Sequence, residues 1–222
     1  ISAALRMMTE NPILPEDHSL WCYVGAKGLI SGATIPSAGN CINWFFDQFT
    51  GGQFDYADFE DPIDSKMTYP TFLPFLFGER CPSLREDRLA GLLNIAPSHT
   101  LKHMYTAVQM GILFNLYQCY QILCEHNSEP KEIILSGGIT NSARWAQMLA
   151  DIWMRPLLVS ENPNASLLGA TALALNATGA LPGIDQFDYE YKNARKIYPN
   201  PEMKPFYEIH NEDYLYYYNL DE

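Results

Sequence analysis

An apolar strand that stops at two adjacent glycines, with a helix close behind, is the feature that most restricts the fold of this chain. The segment 132–135 is followed by Ser136, Gly137 and Gly138, and a helical pattern covers residues 142–154. Glycines lack a Cβ atom, so a ligand can approach the backbone closely there. The N–H groups at a helix start have no partner within the helix and attract anions. The pattern predicts a phosphate or nucleotide site, with a plain tight turn as the alternative.

The composition restricts the partners and the compartment. With 222 residues, 47% of them hydrophobic, the chain is long enough for a substantial core. A net charge of −12 argues against nucleic acid as the main partner, although backbone N–H groups and Mg²⁺ can still attract a nucleotide locally. The five cysteines are scattered and contain no Cys-x-x-Cys pair. This favours reduced thiols and a cytoplasmic location over a disulfide framework.

Neither a targeting segment nor a membrane span is expected. No basic and then apolar segment opens the chain, and residues 104–124, which carry no charge, include Gln109, Asn115 and other amides that would be costly in lipid. We therefore predict a helix buried in protein there. The chain has no initiator Met and starts within an apparent strand, so we expect a fragment of a longer protein.

The hydrophobic periodicity predicts one α/β domain. Strands are expected at residues 3–8, 20–26, 29–35, 132–135 and 156–160. Ser37 is expected to cap a first helix, and Ser98 to cap a long helix that reaches about residue 125. Further helices are expected at 142–154 and 165–177, and a final helix presents Tyr207, His210, Tyr214 and Tyr217 on one face. Two strands joined by a helix imply a parallel pair, and the three leading strands suggest a meander on the same sheet. This order predicts a mixed five-stranded sheet flanked by helices, the ribonuclease-H-like or actin-like arrangement.

Three further patterns have predominantly structural interpretations. The acidic segment 53–71 lacks a calcium-loop pattern and is expected to be a solvated surface loop. His99 and His103 share a helix face, but without a third ligand they favour packing or capping over metal binding. The tyrosine-rich tail could serve a homodimer.

Several segments together resemble the carboxy-terminal domain of the FGGY carbohydrate kinases. They are the Ser-Gly-Gly turn with the helix after it, the run from Asn164 to Ala170, and Gly78-Glu79-Arg80-Cys81-Pro82 with the apolar residues before it. The likeness spans almost the whole chain. Within the family, residues 4–6 and 72–82 look most like gluconate kinases.

The resemblance implies an enzyme of two actin-like domains that phosphorylates sugars or polyols with ATP and Mg²⁺. The sugar then sits mostly on an amino-terminal domain, and the general-base aspartate lies upstream of Ile1. This chain would be the ATP-binding half, inactive by itself, with no catalytic residue and no metal ligand of its own.

The resemblance also assigns nucleotide contacts. Gly138 and Ser142 match the contacts after the fourth strand, with Gly137 and Asn141 beside them, and Gly39 and Asn43 match a second patch. For Gly39 and Asn43 the alternatives are a helix-packing glycine and an exposed amide. The pair Glu79 and Arg80 is either an active-site element or, as we favour, an ion pair that fixes a loop.

The chain departs from the family pattern at a few positions, which puts its substrate in doubt more than its fold. Asn94 replaces a usual glycine, Gln109-Met110 replaces a hydrophobic–acidic pair, and Ser136 replaces a frequent third glycine.

Alternative functions stay open. A xylulose or glycerol type of kinase is one, and a non-catalytic actin-like module for nucleotide binding or assembly is another. A ribonuclease-H-type nuclease is disfavoured, because the predicted strands lack clustered carboxylates for two metals. The chain contains no P-loop, dinucleotide-binding or serine-hydrolase motif.

Overall fold

The computed structural model describes residues 2–160, 165–187 and 194–220. In these residues eight strands form three small sheets, and there are five α-helices. The strands are β1 (Ala3–Thr9), β2 (Trp21–Gly25), β3 (Gly28–Ile35), β4 (Thr71–Leu73), β5 (Gly91–Leu93), β6 (Ile133–Leu135), β7 (Leu157–Val159) and β8 (Arg195–Ile197). The helices are α1 (Gly39–Phe49), α2 (Leu101–Glu125), α3 (Ala143–Trp153), α4 (Ala165–Ala177) and α5 (Lys204–Asn219).

The three leading strands form an antiparallel sheet in the order β1-β3-β2. Their existence is confirmed, but the predicted meander is wrong, because β1 pairs with β3 and not with β2. Ala3 lies opposite Ile35, and Gly25 lies opposite Gly28 at the hairpin turn. The central place of β3 follows from burial, since Ala33 and Ile35 are fully enclosed. The long connection between β1 and β2 allows the chain to pass around to the far side of β3.

The second half of the chain contains the predicted parallel pair. β6 and β7 run parallel with Ile133 opposite Leu157, and α3 forms the connection between them. β8 was not predicted and adds to β7 in the antiparallel direction. Its three residues, Arg195, Lys196 and Ile197, are too few and too charged to show a strand pattern.

The predicted single five-stranded sheet is wrong. In the described part of the chain β1 and β6 each have one paired edge and do not pair with each other, so the predicted sheet is divided in two. β4 and β5 form a separate two-stranded ladder that was also not predicted. Each has only three residues, which is too short for a periodic pattern.

Helix α2 is the centre of the core, as predicted. Its middle residues, including Leu113 and Gln109, are fully enclosed, and Asn115 donates to the Cys81 carbonyl at 3.3 Å. Among the described helices none combines the length and hydropathy of a membrane span. At Gly111 a Cβ atom would lie 2.1 Å from the Phe72 carbonyl oxygen, so α2 and β4 approach each other closely at this residue.

Two predicted helix caps are wrong. Thr100, not Ser98, begins α2 in a capping box with His103, whose Nδ1 accepts the Thr100 N–H at 3.0 Å. Ser37 does not cap α1; instead Asn40 Oδ1 accepts the Ala38 N–H at 2.7 Å. Both errors have one cause, since several polar residues compete near each helix start and the path of the incoming chain decides among them.

Helix α5 packs on the core through four aromatic residues, Phe206, Tyr207, Tyr214 and Tyr218. Of the four residues predicted to share one face of this helix, Tyr207 and Tyr214 are buried and His210 and Tyr217 are half-buried. The Tyr217 hydroxyl donates to Asn94 Oδ1 at 2.8 Å. Asn94 has φ of 60°, a left-handed conformation that asparagine tolerates better than most residues, which explains how it can stand where glycine is usual.

Candidate functional site

One cavity contains all six residues that the sequence proposed as nucleotide contacts. It has a volume of about 760 Å³ and extends between β1 and β6, with α2 and α3 behind it. Its lining includes these six residues and two others from the acidic segment, namely Gly39, Asn43, Gly137, Gly138, Asn141, Ser142, Tyr56 and Glu60. We call these eight residues the mouth, and we call the apolar part between β1 and β6 the groove. The fold thus brings the two predicted patches together.

The turn at the mouth needs glycine at position 137 for its backbone conformation and has open space in front of position 138. Gly137 has φ of 89°, in the left-handed region that favours glycine, and its carbonyl accepts the N–H and the hydroxyl of Thr140 at 3.0 and 2.8 Å. A short 3-10 helix, Gly138–Asn141, follows and leads into α3. A Cβ atom on Gly138 would meet nothing within 4 Å. The space in front of Gly138 is therefore open, as a ligand contact requires.

The second patch lies at the start of α1. Gly39 is half-buried and Asn43, one turn later, is exposed. Asn40, which the sequence analysis did not single out, holds this turn. Its amide donates to the Pro36 carbonyl at 2.9 Å, and its Oδ1 also accepts the Cys41 N–H at 3.2 Å. An asparagine beside a helix start is a sequence signal from which this role could have been predicted.

Ser142 has two hydrogen-bond partners inside the protein. Its hydroxyl accepts the Trp145 N–H at 3.0 Å, which makes Ser142 the N-cap of α3. The same hydroxyl donates to Glu60 Oε1 at 2.6 Å. Ser142 therefore joins the helix start to the acidic segment 53–71.

The acidic segment is more than the solvated loop that the sequence predicted. Phe54 stacks on the buried Phe46 with ring centroids 3.6 Å apart, and Phe59 meets the same ring edge-on at 4.9 Å. These contacts bring Tyr56 and Glu60 to the mouth. Neither residue was predicted from the sequence, because no local pattern indicates that this segment lies next to α3.

Arg144 holds the acidic segment against α2 and α3 through hydrogen bonds. Its Nη1 donates to the Asp61 carbonyl at 3.0 Å and to the Thr106 hydroxyl at 3.2 Å, and its Nη2 donates to Gln109 Oε1. Burial lowers the pKa of the Arg144 guanidinium, although the nearby Glu60 carboxylate opposes that shift. Arg144 thereby connects α3, α2 and the acidic segment.

The mouth combines two kinds of chemistry. Near Gly39 and Gly138, helix starts and uncovered backbone suit phosphate or hydroxyl oxygens. At Glu60 a carboxylate repels phosphate and accepts hydrogen bonds from hydroxyl or amino groups. These properties fit a nucleotide with its phosphates toward the glycines. Within residues 2–160, 165–187 and 194–220 there is no group of three or more His, Cys, Asp or Glu side chains placed to hold a metal ion.

The remaining candidates lie outside the mouth. His99 Nδ1 accepts the Ala96 N–H at 3.0 Å, in keeping with a capping role. Glu79 forms an ion pair with Arg88, not with the exposed Arg80. The five cysteines are free thiols, and burial raises the pKa of Cys41 to about 12.

Comparison with known families gives an extensive match. The family model for the C-terminal domain of the FGGY family of carbohydrate kinases matches residues 2–178. A gluconokinase of Bacillus subtilis is 31% identical over 201 residues, which cover 84% of this chain and 39% of the relative.

Solved structures of carbohydrate kinases also match this chain. A ligand-bound xylulose kinase from Lactobacillus acidophilus matches with a TM-score of 0.86 at 25% identity, and a gluconate kinase from the same organism matches with a TM-score of 0.82 at 26% identity. Both matches cover 99% of this chain and 45% of the other. These results confirm the actin-like class and the family resemblance. The chain spans less than half the length of the relatives it matches.

Proposed function

Because the chain belongs to the FGGY family of carbohydrate kinases, we propose that it is the nucleotide-binding half of an ATP-dependent kinase for a sugar or sugar acid. The observation that carries the proposal is that the two predicted patches, at Gly39 with Asn43 and at Gly137 with Gly138, line one mouth. The open space in front of Gly138 supports this use.

The residues of the mouth have distinct proposed roles. Backbone N–H groups near Gly138 and Gly39 hold phosphate oxygens, and the Asn43 amide contacts the nucleotide from the start of α1. Ser142 positions α3 and Glu60, and Asn141 borders the phosphate end. Bound Mg²⁺ neutralises charge on the phosphates. Such catalysis depends on positioning and charge stabilisation more than on covalent chemistry by the protein.

We further propose that an amino-terminal domain in the full-length protein supplies the rest of the site. That domain carries most of the sugar pocket and the aspartate that accepts the proton of the sugar hydroxyl. Closure of the cleft between the domains brings this hydroxyl to the γ-phosphate and excludes water.

A gluconate-like sugar acid is the proposed substrate. The support is the 31% identity to a gluconokinase, the family resemblance at residues 72–82, and the match to a gluconate kinase structure. Xylulose kinases also match, so a xylulose or glycerol type of kinase is the alternative.

Calorimetric titration of ATP with Mg²⁺ into the full-length protein tests the nucleotide site. Gly138→Val places a branched side chain in the open space of the mouth, where the backbone tolerates it, and should weaken ATP binding at least about tenfold. Ala177→Val adds bulk at an exposed position outside the cavity and should leave the affinity unchanged. Equal affinity of the folded Gly138→Val variant and the wild type would reject the site.

An assay of ADP release against a panel of sugars tests the activity. Turnover with gluconate above that with xylulose or glycerol supports the proposed substrate, and the reverse order supports the alternative. ATP binding without turnover on any sugar would favour the non-catalytic module.

A further inference from the structure

Helix α5 carries a second ordered pattern, on the side that faces away from the core. Four exposed residues recur there at intervals of four, three and four, a spacing that places them along one face of a helix. We call them the outer stripe, which consists of Ile209, Asp213, Tyr216 and Leu220. Leu220 follows the last residue of α5 and continues the stripe, because its backbone is still helical, with φ of −68° and ψ of −19°.

The outer stripe is mostly apolar and uncovered. Ile209, Tyr216 and Leu220 are each more than half exposed. Single exposed apolar side chains are normal on a protein surface, but a continuous apolar face marks a site of interaction. No described residue of α5 lines the cavity that contains the mouth, so the outer stripe is not part of the nucleotide site.

The loop before β5 extends this surface at the C-terminal end of α5. Leu84 and Leu89 are each more than half exposed, and each follows a residue that bonds Tyr218. The Ser83 hydroxyl lies 3.0 Å from the Tyr218 hydroxyl, and Arg88 donates to the Tyr218 carbonyl. With the outer stripe these leucines expose on the order of 600 Å², if a whole large side chain has roughly 200 Å². Two such surfaces together reach about 1,200 Å², where specific protein–protein interfaces begin.

The order of residues in the outer stripe makes it complementary to itself in the antiparallel direction. When two copies of α5 lie antiparallel about a twofold axis between residues 214 and 215, Ile209 faces Leu220 of the second copy and Asp213 faces Tyr216. Each aliphatic side chain then meets another, and each carboxylate meets a phenol hydroxyl that can donate a hydrogen bond to it. In a parallel pair two Asp213 carboxylates would meet, and such like-charge contacts are unfavourable.

We propose that the outer stripe is a homodimer interface, on which a second copy of this protein packs its own α5 in the antiparallel direction. A twofold dimer uses the same patch on both subunits, as this pairing requires. The two central layers, Asp213 against Tyr216, set the alignment, and Ile209 against Leu220 closes both ends. The homodimer suggested by the tyrosine-rich tail thereby gains a definite contact. The inference depends neither on nucleotide binding nor on kinase activity, and its test uses no ATP.

Sedimentation velocity of the full-length protein tests the dimer. We expect reversible association with a dissociation constant on the order of 10 µM, as suits an interface of small area. A full-length protein that stays monomeric at about 100 µM would overturn the proposal, because the outer stripe would then be left free or be covered by another part of the same chain.

Substitutions at Tyr216 test the antiparallel alignment. Tyr216→Asp places a carboxylate opposite Asp213 at two symmetric contacts and should weaken the dimer at least about 100-fold. Tyr216→Lys places an ammonium group opposite each Asp213 and should keep the dissociation constant within about tenfold of the wild type. In a parallel dimer two lysines would meet instead. Equal losses in the two variants would therefore overturn the proposed arrangement.

Exchange of the two central residues provides a rescue. The double variant Asp213→Tyr with Tyr216→Asp contains the same layers in reverse order and should recover the dimer that Tyr216→Asp alone lacks. Failure of this rescue in a folded double variant would overturn the pairing.

The matched control is Tyr23→Asp on the outer strand β2, since Tyr23 is 56% exposed and Tyr216 is 60% exposed. This variant should dimerise as the wild type does. Thermal unfolding should show that all variants are folded, because surface substitutions usually change stability little. A dimer that survives Tyr216→Asp and is lost in Tyr23→Asp would place the interface at β2 and would overturn the proposal.

Discussion

Arg88 and Glu79 form an ion pair inside the core, with Arg88 Nη1 2.8 Å from Glu79 Oε2 and both side chains almost fully buried. Arg88 Nη2 also donates to the Tyr218 carbonyl, and the Tyr218 hydroxyl donates to Glu79 Oε1 at 2.7 Å. Burial lowers the pKa of the Arg88 guanidinium, but the Glu79 carboxylate outweighs this effect and raises it above its ordinary value. Arg88 therefore stays protonated, and the pair connects the Gly-Glu-Arg-x-Pro segment to α5.

Removal of one partner of this pair should be strongly destabilising. Arg88→Ala leaves the Glu79 carboxylate buried without its cation, and we expect a loss of about 3–5 kcal/mol in the free energy of unfolding. Urea denaturation measures it. The matched control is Lys204→Ala, which removes the exposed Lys204–Glu208 pair and should cost about 0–1 kcal/mol. Similar losses in the two variants would contradict a structural role for the buried pair.

Ser142→Ala should affect both the stability of α3 and the order of the acidic segment. The variant loses the N-cap bond to the Trp145 N–H and the bond to Glu60, and we expect about 1 kcal/mol less stability. Limited proteolysis should cut residues 53–71 faster. Ser142→Thr keeps the hydroxyl and serves as the control; an equal effect of both variants would show that the hydroxyl is not responsible.

Two helical glycines should respond in opposite ways to alanine. Gly111→Ala places a Cβ atom 2.1 Å from the Phe72 carbonyl oxygen and should cost about 1–3 kcal/mol through forced separation of α2 and β4. Gly169→Ala lies on α4 where a Cβ atom meets nothing within 4 Å, and it should gain about 0.4–1 kcal/mol. Thermal unfolding of the two variants measures both signs, and a stabilising Gly111→Ala would show that the two elements are not tightly packed.

His210 should make stability depend on pH. The side chain is half-buried, its Nδ1–H donates to the Phe206 carbonyl at 2.8 Å, and burial lowers its pKa below the usual 6.5. The unfolded chain therefore binds a proton at a higher pH than the folded protein does. This contribution is complete above pH 6.5 and is lost as the pH falls below it.

The measurement is the free energy of unfolding of the wild type and of His210→Gln between pH 8 and about pH 5. The difference between the two proteins should change below pH 6.5 in the direction that favours the variant. A constant difference would contradict the lowered pKa.

Much of the local structure was predictable. The bounds of α4 agree exactly with the predicted 165–177, and the β6–α3–β7 unit appears as predicted. These elements are long or are bounded by clear turn residues, so interactions between residues close in sequence determine where they begin and end. The single five-stranded sheet, the meander of the leading strands, and the caps at Ser37 and Ser98 were predicted wrongly. Each of these features depends on which distant segment of the chain packs beside the strand or helix concerned.

The family, the glycine turn at residues 137 and 138 and the helix after it can be recognised from the sequence, because each is encoded by a short run of neighbouring residues. The contact between Glu60 and Ser142, which are 82 residues apart, and their common position at one mouth with Gly39 become visible only in the folded chain. Contacts of this kind follow from the packing of whole elements against α2. That packing depends on the total surface that the helices and strands bury and on how well their shapes fit, and no short stretch of residues encodes either property.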